Sequence, residues 1–109
     1  MSYNTPDELK YTKDHEWTSL DESRATIGIT DFAQQSLGDI VFVELPEVGS
    51  DITKEQSFGV VESIKSVSDL FAPLTGKVTE VNSSLQDSPE LLNEDPYGNW
   101  ILKIELTNK

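Results

Sequence analysis

Few groups in this sequence are inherently reactive. There is one histidine, His15, and no cysteine. Without a thiol the chain has no disulfide staple, no thiolate nucleophile and no cysteine-based metal site, so any redox chemistry must come from something added to it. A lone histidine beside Trp17 assembles neither a metal site nor a triad, and it reads as a structural hydrogen-bonder. What remains is a lysine amine. Lys65 stands midway in the stretch G-V-V-E-S-I-K-S-V-S-D-L-F-A-P over residues 59–73, between the β-prone segments Val60-Val61 and Val67 to Phe71. That pattern predicts a hairpin with Lys65 at or near its tip. An amine held there is uncoupled from the core and open to acylation by another protein. A solubilising turn lysine has the same local signature, since surface lysines are the commonest kind. The choice between the two falls to the surrounding elements.

Taken in order, Leu9, Tyr11, His15-Glu16-Trp17 and Arg24–Ile29 predict a first antiparallel pair, turning through residues 19–23 (S-L-D-E-S). Ala25, Ile27 and Ile29 would face inward. Thr30 caps a short helix over Asp31–Leu37, Asp31 suits its positive end and Gly38 stops it. Phe32, Ala33 and Leu37 form its apolar stripe. Strand-like segments follow at residues 39–45, 52–53, 57–63, 70–72, 77–82 and 99–106, with turns at 46–49 and 73–76 and a turn of helix at 89–93. Trp17 and Trp100 read as core. Many short strands with turns every eight to twelve residues predict an all-β sandwich or flattened barrel of two antiparallel sheets with one short helix. A weak repeat agrees with this: residues 38–43 match 76–81 in apolar spacing after a glycine, and residues 60–62 match 103–105. The two units flank Lys65 and would set it at one end of a pseudo-symmetric sandwich.

Composition narrows the partners. At 109 residues, 36% hydrophobic and 26% charged, the chain is expected to fold as one domain over 1–109. Twenty acids against eight bases give a net charge of −12, which repels phosphate backbones and anionic lipid, so neither nucleic acid nor membrane is expected as a partner. The same charge favours encounters with basic docking faces. No run is long and apolar enough to span a bilayer, and the acidic start has neither signal-peptide nor transit-peptide character. The chain is therefore expected to stay in the compartment where it is made, the cytoplasm, or to have been processed already.

Several stretches together carry a resemblance: His15-Glu16-Trp17; residues 25–31 (A-T-I-G-I-T-D); residues 37–46 (L-G-D-I-V-F-V-E-L-P); residues 62–69 (E-S-I-K-S-V-S-D); Glu80-Val81-Asn82; and Pro96-Tyr97 with Trp100. The sequence resembles the glycine cleavage H-protein family, lipoyl-carrying members of the biotinyl/lipoyl-domain superfamily. The resemblance implies a lipoyl-domain hammerhead fold and lipoate in amide linkage on Lys65. It further implies that the attaching enzyme reads Glu62, three residues before the lysine, with Gly49 and Gly76 on either side of the hairpin. Biotin carriers flank their lysine with methionines, where this chain has Ile64 and Ser66. By resemblance the chain is a carrier rather than an enzyme. A pyridoxal-phosphate glycine decarboxylase (P protein) loads an aminomethyl group on the arm. A tetrahydrofolate-dependent aminomethyltransferase (T protein) removes the one-carbon unit, and the flavoenzyme dihydrolipoyl dehydrogenase (L protein) reoxidises the dithiol. Glu16 and Asp69, and more weakly Asp14, are the acids that would line a groove for the adduct's ammonium; solvated surface acids are the competing reading. A lipoyl donor or relay for 2-oxoacid dehydrogenases would share Lys65 without needing those acids, and a purely structural acidic β-module would tolerate Lys65→Arg. The family continues past its last strand into a helical segment, whereas this sequence ends at Thr107-Asn108-Lys109, a departure that bears on how one sandwich edge is covered.

Overall fold

The structure, a computed structural model, describes residues 9–12 and 15–106. Alternating apolar residues pair these segments into two antiparallel sheets. Strands β1 (Lys10–Tyr11), β2 (Glu16–Asp21), β3 (Arg24–Ile29), β5 (Asp51–Ile52), β8 (Gly76–Val81) and β9 (Leu102–Leu106) form the first, in the order β1-β2-β3-β9-β8-β5. The second holds β4 (Ile40–Glu44), β6 (Ser57–Ser63) and β7 (Val67–Phe71), in the order β4-β6-β7. The two sheets stay separate, as the expected sandwich of two antiparallel sheets requires. Ala25, Ile27 and Ile29 face inward as expected and meet Val43, Val61 and Leu70 of the smaller sheet in one buried cluster. Each such fully buried aliphatic chain contributes roughly 1.5–3 kcal/mol relative to exposure.

Helix α1 (Asp31–Leu37) has the anticipated bounds. Thr30 Oγ1 accepts from the Ala33 N–H at 3.1 Å, and the Gly38 N–H closes the last turn on the Gln34 carbonyl. Leu37 is buried, while Phe32 and Ala33 are only partly so. The expected turn of helix at 89–93 is present as α3 (Leu91–Glu94), and a further single-turn helix, α2 (Ser84–Asp87), precedes it; they plug Leu92 and Leu85 into the core. The described residues thus hold three helices, where the sequence predicted one short helix and a turn of helix at 89–93.

Other expectations need correction. Ser19, Leu20 and Asp21 belong to β2, with Asp21 opposite Arg24, so the β2–β3 turn is only Glu22-Ser23, with Glu22 at φ 59°. Strand β7 begins at Val67 rather than Leu70, because Val67 pairs with Glu62 directly behind the hairpin tip. Trp17 is core, but Trp100 is half-exposed, with Lys103 Nζ 4.8 Å from its ring centroid in a cation–π contact. The internal repeat has a structural counterpart. β4 and β8 each step register at the third residue after their leading glycine, at Val41 after Gly38 and at Thr79 after Gly76, and they lie in opposite sheets.

Candidate functional site

The β6–β7 hairpin is closed by Ser63. Its N–H donates to the Ser66 carbonyl at 2.8 Å, and its Oγ accepts the N–H groups of Lys65 and Ser66, each at 3.1 Å. A small hydroxyl residue can do this where a larger side chain cannot, because it folds back on its own turn. Ile64, Lys65 and Ser66 are left at the tip, with Ile64 69% and Val67 66% exposed. Lys65 itself is exposed, and among the described residues its ammonium makes no hydrogen bond or ion pair. An amine in that position is accessible to an acylating enzyme and loses no partner on acylation.

Beside the hairpin, between α1 and the β7 edge, lies an open cleft of about 470 Å³. Ile29, Phe32, Leu37, Val61 and Leu70 give it an apolar lining, and His15, Glu16 and Asp69 supply polar groups. Asp69 is exposed on β7, opposite Val60. Glu16 is only 2% exposed. Its Oε1 accepts from Thr12 Oγ1 and its Oε2 from the Phe71 N–H, both at 2.9 Å, so the carboxylate ties β2 to the end of β7 while lining the cleft. His15 is exposed at φ 65°, its N–H donating to the Thr12 carbonyl and its carbonyl accepting from Thr30 N–H; its ring lies 4.4 Å from that of Phe32. The histidine expected to be a hydrogen-bonder thus contributes an aromatic wall. Asp14 lies outside the described residues.

The structure brings Lys65, Glu62, Asp69 and Glu16 to the smaller sheet and its cleft. It does not bring Gly49 and Gly76 to the tip. Those two sit together at the β5–β8 corner, where Gly49 N–H donates to the Val78 carbonyl at 2.8 Å and Gly76 pairs with Ile52. Each has a local reason to be glycine: Gly49 adopts φ 96°, and a Cβ on Gly76 would come 2.5 Å from the Glu105 carbonyl oxygen. Sequence reasoning placed Phe32, Ala33 and Leu37 on one stripe but did not see that the stripe walls a cleft. The signal available was an aromatic on the stripe of a helix too short to bury it.

A profile of the family described as "Glycine cleavage H-protein" matches residues 9–109. The glycine cleavage system H protein of Symbiobacterium thermophilum is 58% identical over 106 residues, which cover 96% of this chain and 83% of that protein. That of Koribacter versatilis is 63% identical over 108 residues, 99% of this chain and 82% of its own length. The crystal structure of a glycine cleavage system H protein from Mycobacterium marinum superposes with a TM-score of 0.91 at 42% identity, covering 94% of this chain and 87% of that one.

Proposed function

From the premise that the chain belongs to the glycine cleavage H-protein family, we propose that it is a non-catalytic lipoyl carrier whose attachment residue is Lys65. The observation that carries this reading is an exposed, unpartnered amine on a tight hairpin tip beside an apolar cleft with carboxylates at its edge. Such a site fits an acyl-linked arm: the amine is reachable, and a shelter lies next to it. Attached lipoate would supply a dithiolane able to take up an aminomethyl group and two reducing equivalents.

The chain's own residues then have defined tasks. Lys65 anchors the arm, trading its charge for an amide, and the tether raises the effective concentration of cargo at each docked enzyme. The apolar lining from Ile29, Phe32 and Leu70 excludes water from a cargo prone to hydrolysis. Asp69 and Glu16 present carboxylate oxygens to its ammonium, Asp69 from the open rim and Glu16 from a position held rigid by Phe71 N–H. Glu62 is the feature beside the tip that we assign to the lipoate-attaching enzyme, with Gly49 and Gly76 acting by keeping the β5–β8 corner in shape. Glycine decarboxylase, aminomethyltransferase and dihydrolipoyl dehydrogenase are the partners this reading requires.

Intact-mass measurement after co-expression with a lipoylating system tests it. A lipoyl-sized increment is expected in the wild type and absent in Lys65→Arg; an unmodified wild-type chain would sink the proposal. Reconstitution with the three partner enzymes should then support glycine decarboxylation. Activity confined to 2-oxoacid oxidation would replace this reading with the donor or relay role.

A further inference from the structure

Next to the Lys65 side chain stands one residue without a side chain of its own. Gly38 ends α1 at φ 78°, ψ −152°, and a Cβ built on it would lie 2.9 Å from Lys65 Cε and 3.8 Å from Nζ. The lysine's methylene tail therefore runs directly over this backbone. The two residues before Gly38, Ser36 and Leu37, line the cleft. Gly38 is a bare saddle, with the anchoring amine on one side and the shelter on the other.

One side chain from a distant part of the chain holds the backbone of residues 38–40. Asn93 of α3 accepts from the Ile40 N–H at 2.9 Å through Oδ1, and its Nδ2 donates to the Gly38 carbonyl at 2.8 Å and to Gln34 Oε1 at 3.0 Å. Between those two bonded residues lies Asp39, whose carbonyl accepts the Ile64 N–H of the hairpin tip at 3.0 Å. Asn93 thus clamps both ends of the segment on which the tip rests. An amide suits this task, because its oxygen accepts and its nitrogen donates while the segment presents one donor and one acceptor.

Building on the reading of Lys65 as the anchor, we propose that Gly38 is the crossing point of the tethered arm on its way to the cleft. In the same proposal Asn93 is a positioning residue that fixes the height of that crossing. The backbone angle calls for glycine there, and a Cβ would in addition push aside the lysine tail that lies across it.

The test uses lipoylated wild type, Gly38→Ala, Asn93→Ala and Asn93→Asp, with Asn99→Ala as control. Asn99 bonds the Leu91 and Asp95 carbonyls of the same region, and among the described residues no hydrogen bond joins it to residues 38–40. Each arm is reduced and loaded with formaldehyde and ammonium, one thiol condensing with both and releasing water. Amide chemical-shift changes at Ser36, Leu37 and Asp69 on loading report arrival in the cleft, and thermal midpoints report stability. Wild type and Asn99→Ala should show the same changes; in Gly38→Ala and Asn93→Ala they should fall at least threefold. Asn93→Asp, which keeps the acceptor but loses the donor to Gly38, should behave like Asn93→Ala. Changes in the Asn93 variants as large as in Asn99→Ala at matched midpoints would overturn the proposal, and this holds even if Gly38→Ala fails to fold. A wild-type chain that takes no lipoate, or whose cleft amides do not respond to loading, would instead overturn the reading beneath it.

Discussion

Gly28 and Trp17 face each other across the β2–β3 pairing, and a Cβ on Gly28 would come 2.6 Å from three atoms of the indole. The ring is locked from its other side, because Nε1–H donates to the Pro96 carbonyl at 3.1 Å and the Tyr97 ring lies 6.2 Å away. Retreat would cost it that hydrogen bond. Gly28→Ala should therefore destabilise the fold by about 1–3 kcal/mol, the usual cost of overpacking a filled site. Thermal unfolding would show this as a lowered midpoint, with tryptophan emission shifted to the red; an unchanged midpoint would mean that the ring has slack the packing does not reveal. At this scale the sequence is half legible. It marks Lys65, because turn chemistry around a hairpin is local. It does not mark Glu16 as buried, since that follows from an N–H donated by Phe71, 55 residues along the chain.

Helix α1 walls the cleft, and its first turn is secured twice. Thr30 caps Ala33, and the Asp31 N–H donates to Tyr97 Oη at 3.0 Å. Burial raises the Tyr97 pKa from its ordinary 10.0, the hydrogen bond from Asp31 N–H opposing the shift and the Asp31 carboxylate adding to it. Above about pH 10 the unfolded chain sheds this proton while the native state keeps it, so the unfolded state binds fewer protons and stability falls with rising pH until the folded pKa is passed. Tyr97→Phe should flatten that alkaline slope, and it should lower stability at neutral pH by about 1 kcal/mol for the lost acceptor. Denaturant melts at pH 8 and above pH 10 measure both; parallel slopes in the two proteins would rule out the Tyr97 contribution. The bounds of α1 were readable because its cap and stop lie next to it in sequence. α2 was not, and α3 was readable only as a turn of helix without its bounds, because each is one turn long and neither Ser83 nor Glu90 makes a side-chain capping bond. Their helicity comes from seating Leu85 and Leu92 in the core.

The whole molecule carries a net charge of −12 at pH 7. A field of that size acts on encounter rates more than on fold. If the partner enzymes dock through basic faces, raising ionic strength from about 0.01 to about 0.15 M shortens the screening length from roughly 30 to 8 Å. Association measured by stopped flow should then slow by about tenfold or more. A rate indifferent to salt would show that docking uses uncharged contacts, and the exposed Ile64 and Val67 at the tip would then be the first to mutate.

The sequence by itself determined what depends on residues a few places apart: the α1 boundaries, the inward alternation of Ala25, Ile27 and Ile29, and a hairpin that lifts Lys65 into solvent. Caps, turns and strand period act over that range, and they are written in the types of neighbouring residues. Only the tertiary structure decided that α1 and β7 leave a cleft between them, that Trp100 sits at the surface, and that Asn93 grips Gly38 and Ile40 from 55 and 53 residues away. Those outcomes depend on which sheet face meets which, and no local preference encodes the meeting of two segments that distant in the chain.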